Sequence, residues 1–566
     1  MKELEDAKEF EERADFIETD NLMNWTVQND FFLAVQKKIL QRGAKLIVGP
    51  RGTGKTHQLK FAYKTCLKSK AKPLAIYVSF TNYYHLEPLL SKKANAVKIF
   101  HTWVLCKILL GCYDLLEDLD SKDTYLYEDE NILSRKNLKK FCADVEKGTD
   151  IIYELHDEII NKVTIDEVIG TIVKLTVKFD RKRTILLLDD AALRLTPEYL
   201  IEFFDIFGSL KTINIAPKAS VYPGTTVYGP RFHVGHDAEK VSSWLEIDNE
   251  NYSQFMEDLI ELRSLNVEKV NKDIVEIFKY AAFGIPRHFI NLLRNYIQPQ
   301  NETYHQRFNR VIEEQAESIK AEYLSFTKKL PQYQNIINTG WELHEQIVKI
   351  ITDVNKNIAT SNEKQLQFSI LKEHSLTRDR MFQFLIEAGL LYELEEHKGS
   401  HNRRYERYIP HLLFLVKSRA FSISTGFNAS EIIQFIKRRG KKHSIERELS
   451  KILNNDEIKL NLNLPSCQYC DAERLTEQQK FCHNCGKELV RQSTFDSCMK
   501  IKINELPFLT KLQKRRINEY TKLRIIDDFL SSTNIASELR KIPQIGPKRA
   551  EQISSKMKKM IEEFLS

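Results

Sequence analysis

The stretch Gly49-Pro50-Arg51-Gly52-Thr53-Gly54-Lys55-Thr56 constrains the fold of this chain more than any other. It fits the spacing G-x-x-x-x-G-K-[ST]; "AKLIV" precedes it and "HQLKFAYKTCL", with helical spacing, follows. These residues can act together only if a strand ends in a tight turn that feeds a helix. The glycines then let backbone N–H groups close on phosphate, and the helix start adds the positive end of its dipole. All eight residues are candidate nucleotide-binding positions. Lys55 is expected to reach the outer phosphates and Thr56 to ligate Mg²⁺. The fold class expected for this part is α/β.

Well downstream, "RTILLLDDAALRL" is an apolar strand that ends in acids. Buried carboxylates at a strand end are costly unless a cation compensates. Asp189 is expected to hold Mg²⁺ through water. Asp190 has two readings, a water-polarising acid or a cap on the next turn. Two further stretches follow, "PKASVYPGTTVYGPRF", read as the next sheet strand, and "FKYAAFGIPRHFINLLRNYI", with helical spacing.

The order of these motifs, with the downstream unit described below, resembles the origin-recognition/initiator branch of the AAA+ ATPases over roughly residues 20–420. The resemblance implies ATP as ligand, a P-loop core with a helical lid, and Thr225 or Thr226 as the phosphate sensor after the third motif. It implies Arg231, in "GPRF", as an arginine finger across a subunit interface of a homo-oligomer, against the alternative of a surface arginine. It implies Arg287, in "GIPR", as a lid residue directed at the γ-phosphate, against the alternative of a core-packing helix with one exposed Arg. Most AAA+ ATPases carry Glu where this chain has Asp190. A double Asp with a downstream Gly-x-Pro is also a feature of the STAND signalling ATPases, which are read as slow switches.

The chain has 566 residues, too many for one core. No apolar run is long enough to span a bilayer; the longest, near Phe100–Tyr113, is broken by His101 and Lys107. "MKELEDAKEFEERADF" has no apolar signal region, so a cytoplasmic location with no membrane partner is expected. The formal net charge is +7, and residues 500–566 hold fifteen Lys/Arg against eight Asp/Glu. The rest of the chain is therefore neutral, and the basic tail points to a polyanion, DNA above all; a solvated Lys-rich surface is the alternative.

Seven segments are expected: a charged N-terminus (1–20), the ATPase core (21–245), lid and connecting helix (246–335), a winged helix (336–420), a linker (421–465), a zinc ribbon (466–490) and a paired helix-hairpin-helix domain (500–566). In the fourth, "SLTRDRMFQFLIEAGLL" reads as a helix and "LLYELEEHKGSHNRRYERYIP" as a hairpin. Arg378 and Arg380 at the helix start, and Lys398, Arg403, Arg404 and Arg407 on the hairpin, are candidate DNA contacts. Protein packing alone is the alternative use of such a unit. Cys467, Cys470, Cys482 and Cys485 form two C-x-x-C pairs with eleven residues between them, a spacing for structural Zn²⁺ with redox pairing as the alternative. The other five cysteines show no such spacing. In the tail, "LPFLTKLQKRRINEY" and "IPQIGPKRAEQI" begin an internal repeat. The second copy resembles a helix-hairpin-helix motif, which implies Gly546, Lys548 and Arg549 as contacts to the phosphates of duplex DNA without sequence preference. The family's first hairpin glycine is replaced by Gln544.

Three functions fit: an ATPase that binds or remodels DNA, a STAND-like ATP switch in defence against mobile elements or phage with a further protein partner, and a DNA adaptor whose ATP site is structural.

Overall fold

In a computed structural model of the chain, the described residues are 19–565. Within that span 81–85, 87–94, 120–125, 128–130, 148–153, 191–196, 264, 266, 268–269, 299–300, 359–362, 400–402, 423–427, 441–443, 454–457, 468, 477–478, 480, 490–498, 507, 531–534 and 544 are not described. Most of the charged N-terminal segment, Cys498 and Gln544 lie outside the described residues, as do several positions of the acidic stretch near 114–131.

Five strands build the first sheet: β1 (Ala44–Val48), β2 (Leu74–Ser79), β3 (Thr184–Asp189), β4 (Ile215–Val221) and β5 (Ala238–Ser242). They are ordered β2-β3-β4-β1-β5, and every neighbouring pair is parallel. β3 and β4 are buried along their whole length, which the near-continuous apolar run of β3 requires of a sheet covered on both faces. The register sets Ser79 beside Asp189 and Val48 beside Val221. The carboxyl ends of β1, β3 and β4 therefore share one edge, where ligands of open α/β sheets bind.

Helix α1 (Lys55–Lys68) leaves β1 through the phosphate-loop turn, and α2 (Ala96–Asp118) packs on the sheet. α2 is the one helix among the described residues long and apolar enough to cross a membrane. The charges that break its apolar run are few, so the helix is longer than the stretch read from sequence. Of its most apolar window, 78% is buried inside the protein, with Phe100, Trp103 and Leu105 in the sheet's core.

Beyond the sheet come α3 (Pro286–Ile297), α4 (Tyr304–Lys329), α5 (Gln334–Asn357) and α6 (Leu376–Glu387). A second sheet has the order β7-β8-β6-β9, with β6 (Phe368–Leu371), β7 (Leu391–Lys398), β8 (Arg404–Pro410) and β9 (Ile445–Arg447). α6 followed by the antiparallel β7–β8 pair is the helix and hairpin read from sequence. The stretch expected as a linker is structured instead. It carries α7 (Ala429–Lys437), whose Ile432, Ile433, Phe435 and Ile436 are buried, and β9, which pairs parallel with β6. One continuous apolar core takes in Val27 and runs from Trp244 through α3, α4, α5 and the second sheet to Leu453. The apolar face of α7 accounts for this: left in solvent, it would expose four large side chains.

The tail has its own core around α8 (Lys511–Tyr520) and α9 (Pro547–Leu565). Equivalent positions of the repeat, Leu506 and Ile542, Leu509 and Ile545, Ile517 and Ile553, are all buried in it.

Candidate functional site

The phosphate loop turns as its glycines require. Gly52 and Gly54 take φ of +89° and +88°, values that side chains with a Cβ avoid, and Gly54 immediately precedes α1. Thr53 donates its hydroxyl to the Pro50 carbonyl at 3.0 Å and lies 2.9 Å from the Ser243 hydroxyl, which ties the loop to the end of β5. Lys55 is buried. Its ammonium donates to the carbonyls of Gly49 (2.7 Å) and Pro50 (3.0 Å) and stands 3.9 Å above the Tyr222 ring. Burial pushes its pKa down to about 7, against the pull of Asp190, Glu387 and Asp189. Arg51 and Thr56 are half-buried beside it.

The two aspartates differ. Asp189 is buried, and its carboxylate accepts from the Tyr77 hydroxyl (2.8 Å) and the Ser220 hydroxyl (2.8 Å). Asp190 is half-buried with φ of +52°, a left-handed backbone that costs a non-glycine residue about 1–2 kcal/mol. Its N–H donates to Ser220 Oγ (2.8 Å) and Asp189 Oδ1 (3.1 Å), which hold the bend. Among the charges acting on Lys55, Asp190 is the carboxylate felt most. The bend turns the chain so that both acids stay at the phosphate-loop edge. Thr56, Asp189 and Asp190 offer hard oxygen donors, a set that fits Mg²⁺.

The loop after β4 closes the edge. Thr225 and Thr226 are both buried, and the Thr226 hydroxyl accepts from the Tyr222 N–H at 3.1 Å. Arg287 sits at the start of α3, where its side chain packs against Gly52. Burial would push the Glu322 carboxyl up, but the charge of Arg51, joined by those of Arg287 and Lys329, outweighs it and holds Glu322 below the usual range. Arg231 lies apart on the surface, its side chain 83% exposed and 3.8 Å from Asp205.

Two of the expected DNA contacts are elsewhere. Arg378 is only 1% exposed; it pairs with Glu406 at 2.8 Å, donates to the Leu371 carbonyl and covers the Phe382 ring. It is a buried strut of the helix–hairpin unit, so the DNA contact expected of it is withdrawn. Arg380 donates to the Gly224 carbonyl, so the start of α6 faces the loop after β4. The hairpin residues Lys398, Arg403 and Arg404 are exposed, with Arg403 3.2 Å from Glu448, and Arg407 donates to the Glu395 carbonyl. In the tail Gly546, Lys548 and Arg549 are exposed at the start of α9.

The sulfurs of Cys467, Cys470, Cys482 and Cys485 all lie within 4.8 Å of one another. A tetrahedral shell at about 2.3 Å from zinc separates its sulfurs by about 3.8 Å, so the cluster fits that ion. The Cys485 and Asn484 N–H groups are aimed at Cys482 Sγ and lower its thiol to about 6. The Lys487 N–H pulls Cys485 down, but desolvation and the three other thiols outweigh it and push Cys485 up to about 12. Four thiolates share this space only with a cation between them. Cys66, Cys106, Cys112 and Cys142 are buried outside the cluster.

No family model and no curated protein matches the chain. Among solved structures, the Walker-type ATPase Paby2304 of Pyrococcus abyssi is similar at a TM-score of 0.35 and 14% identity, over 69% of this chain and 95% of that one.

Tyr77, Ser220, Tyr222, Ser243, Glu322 and Glu387 join the site without a motif of their own. Ser220 and Tyr222 could have been found by their place at the end of the strand next to β3. Nothing local marks Glu387, which reaches the site only through the packing of α6.

Proposed function

We propose that the chain binds ATP with Mg²⁺ and hydrolyses it slowly, and that nucleotide state controls how its C-terminal modules engage DNA. One observation carries the nucleotide reading: Lys55, at the start of the helix after β1, is buried within electrostatic reach of Asp189 and Asp190 at the end of β3. An ammonium and two carboxylates at the carboxyl edge of a parallel sheet, beside a loop of turned glycines, suit a triphosphate and its metal. Lys55 takes the outer phosphates, Thr56 and Asp189 hold the metal, and Asp190 orients the attacking water. Thr225, Thr226 and Arg287 act as the sensors, and Arg231 as the finger offered to a second copy. Binding of a fluorescent ATP analogue with Mg²⁺ tests this; equal affinity in wild type, Lys55→Ala and Asp189→Ala refutes it.

On the same reading the β6–α6–β7–β8 unit is a winged helix, the four cysteines hold one structural Zn²⁺, and the tail is a paired helix-hairpin-helix domain for duplex DNA. A second reading, a STAND-like switch, is favoured by the seating of α6 on the nucleotide-site loop, where it is withheld from DNA. ATPase assays with and without duplex DNA separate the two: a DNA-controlled ATPase is accelerated, whereas a switch turns over no faster.

A further inference from the structure

Glu387 is the last residue of α6, and its side chain is buried, with the residue only 4% exposed. A carboxylate there meets the negative end of the helix dipole and gives up its hydration, two costs that need strong donors to offset them. The donors come from another part of the fold. Glu387 Oε2 accepts from the N–H groups of Gly224 (2.8 Å) and Thr225 (2.7 Å), and Oε1 from the Thr225 hydroxyl (3.2 Å). Seven residues earlier on the same helical face, Arg380 donates to the Gly224 carbonyl. Between them, the α6 backbone lies so close that a Cβ on Gly224 would stand 2.8 Å from the Gln383 carbonyl oxygen. Residues 380, 383 and 387 thus read one peptide of the β4 loop at i, i+3 and i+7.

That loop carries the Tyr222 ring, which covers Lys55, and Glu387 is close enough to act on the Lys55 charge. On the nucleotide reading Thr225 is a phosphate sensor, and a Thr225 hydroxyl that donates to Glu387 does not serve a phosphate oxygen at the same time. A γ-phosphate would also meet the Glu387 charge.

We propose that Glu387, with Arg380, is a positioning residue of the nucleotide site: it holds the 222–226 loop on α6 so that Thr225 faces Glu387 and not the nucleotide, and turnover requires this contact to open. The proposal rests on the nucleotide reading above.

The test uses the full chain and the variants Glu387→Gln, which keeps shape and loses charge, and Arg380→Met, which loosens the same loop from its other side. Hydrogen exchange at the Gly224 and Thr225 amides reports the contact without nucleotide. Steady-state hydrolysis, with Lys55→Ala as the control, reports its consequence. Expected are faster exchange in both variants and a kcat several-fold above wild type, with KM for ATP within about twofold, because a charge-assisted bond is about twice as strong as a neutral one. Unchanged exchange overturns the proposal, as does a fall in kcat or a change in KM alone. Faster exchange with hydrolysis no higher than wild type makes the contact structural only, and the proposal falls. Hydrolysis that survives Lys55→Ala overturns the nucleotide reading itself, whatever the exchange result.

Discussion

At the carboxyl edge of the first sheet a charge is answered from far along the chain: Lys55 feels Asp190 just past β3, Glu387 at the end of α6 and Asp189 on β3. In the tail, Lys548 and Arg549 stand exposed on the first turn of α9, over a core made of the tail's own residues. The first arrangement is electrically closed and couples distant elements. The second leaves a positive surface turned outward and folds on local contacts. A site of the first kind is tuned by its neighbours, and its chemistry changes when any of them moves. A site of the second kind acts by charge and is tuned by salt.

The largest expected effect tests the closed site. Lys55→Ala removes the buried cation, and without a charge-assisted hydrogen bond of about 1.5–3 kcal/mol ATP binding weakens by about tenfold to a hundredfold. Titration with a fluorescent nucleotide measures it, and the tail's DNA affinity should not move. The converse comes next. Deleting residues 500–566 should leave ATP binding intact and weaken duplex affinity. The log–log salt slope should shrink at the same time, by roughly 0.9 for each phosphate that the tail no longer neutralises. If the truncated chain keeps the full slope, the exposed hairpin arginines are the DNA surface and the tail is not the salt-tuned region. Cys482→Ser separates the cysteine cluster from both regions: metal analysis should fall from about one zinc per chain to none, with ATP binding unchanged.

Acid divides the two regions in another way. His288, His344 and His411 are buried against the core between α3, α5 and the second sheet, with His288 Nδ1 3.3 Å from His411 Nε2 and both His344 and His411 against Phe414. Burial lowers all three, His288 to about 4 and His344 to about 3. Their folded values lie below the ordinary 6.5, so the unfolded chain takes up protons first. The stability they contribute is complete above about pH 6.5 and is lost as the pH falls toward 4. The rate is on the order of 1 kcal/mol per pH unit for each histidine. Residues 500–566 contain no histidine. Between pH 7 and 5 the melting of the core should fall by several degrees while that of the tail stays put; His344→Phe should flatten the core's slope.

These differences also mark what was legible in the residues. The phosphate-loop turn, the acid-ended strand, the hairpin after α6 and the repeat in the tail are local patterns, and each has its counterpart in the fold. The four cysteines carry their geometry in their spacing. What was not legible depends on packing between distant elements. α7 and β9 sit in a stretch that reads as linker because β9 is only three residues long and shows its pairing only against β6. Arg378 and Arg380 read as groove contacts because charge at a helix start suggests DNA; the Glu406 that buries one and the Gly224 carbonyl that binds the other are far away in sequence. Glu387 closes an ordinary amphipathic helix, and only the tertiary fold turns it toward the loop after β4 and Lys55.

The smallest effect is also the sharpest probe of the closed site. Asp189 and Asp190 are adjacent, their surroundings differ, and the proposed function gives them different work. Asp189 is held by two hydroxyls, Tyr77 and Ser220, a fixed acceptor suited to a water-bridged metal. Asp190 is half-buried at a left-handed bend that its backbone N–H holds by donating to Ser220 Oγ. On the proposed function its carboxylate is the one that acts on water, with one methylene less reach than Glu. A misplacement of about 1 Å can cost on the order of a hundredfold in rate, so wild-type turnover should be slow. Asp190→Asn should bind ATP normally and hydrolyse none, because the amide does not take the proton. Asp190→Glu should raise kcat a few-fold with KM unchanged if reach is limiting. The bend limits this gain, since the longer side chain leaves the same strained backbone. Hydrolysis at the wild-type rate by Asp190→Asn would make Asp190 a cap on the turn and would leave the closed site without a base.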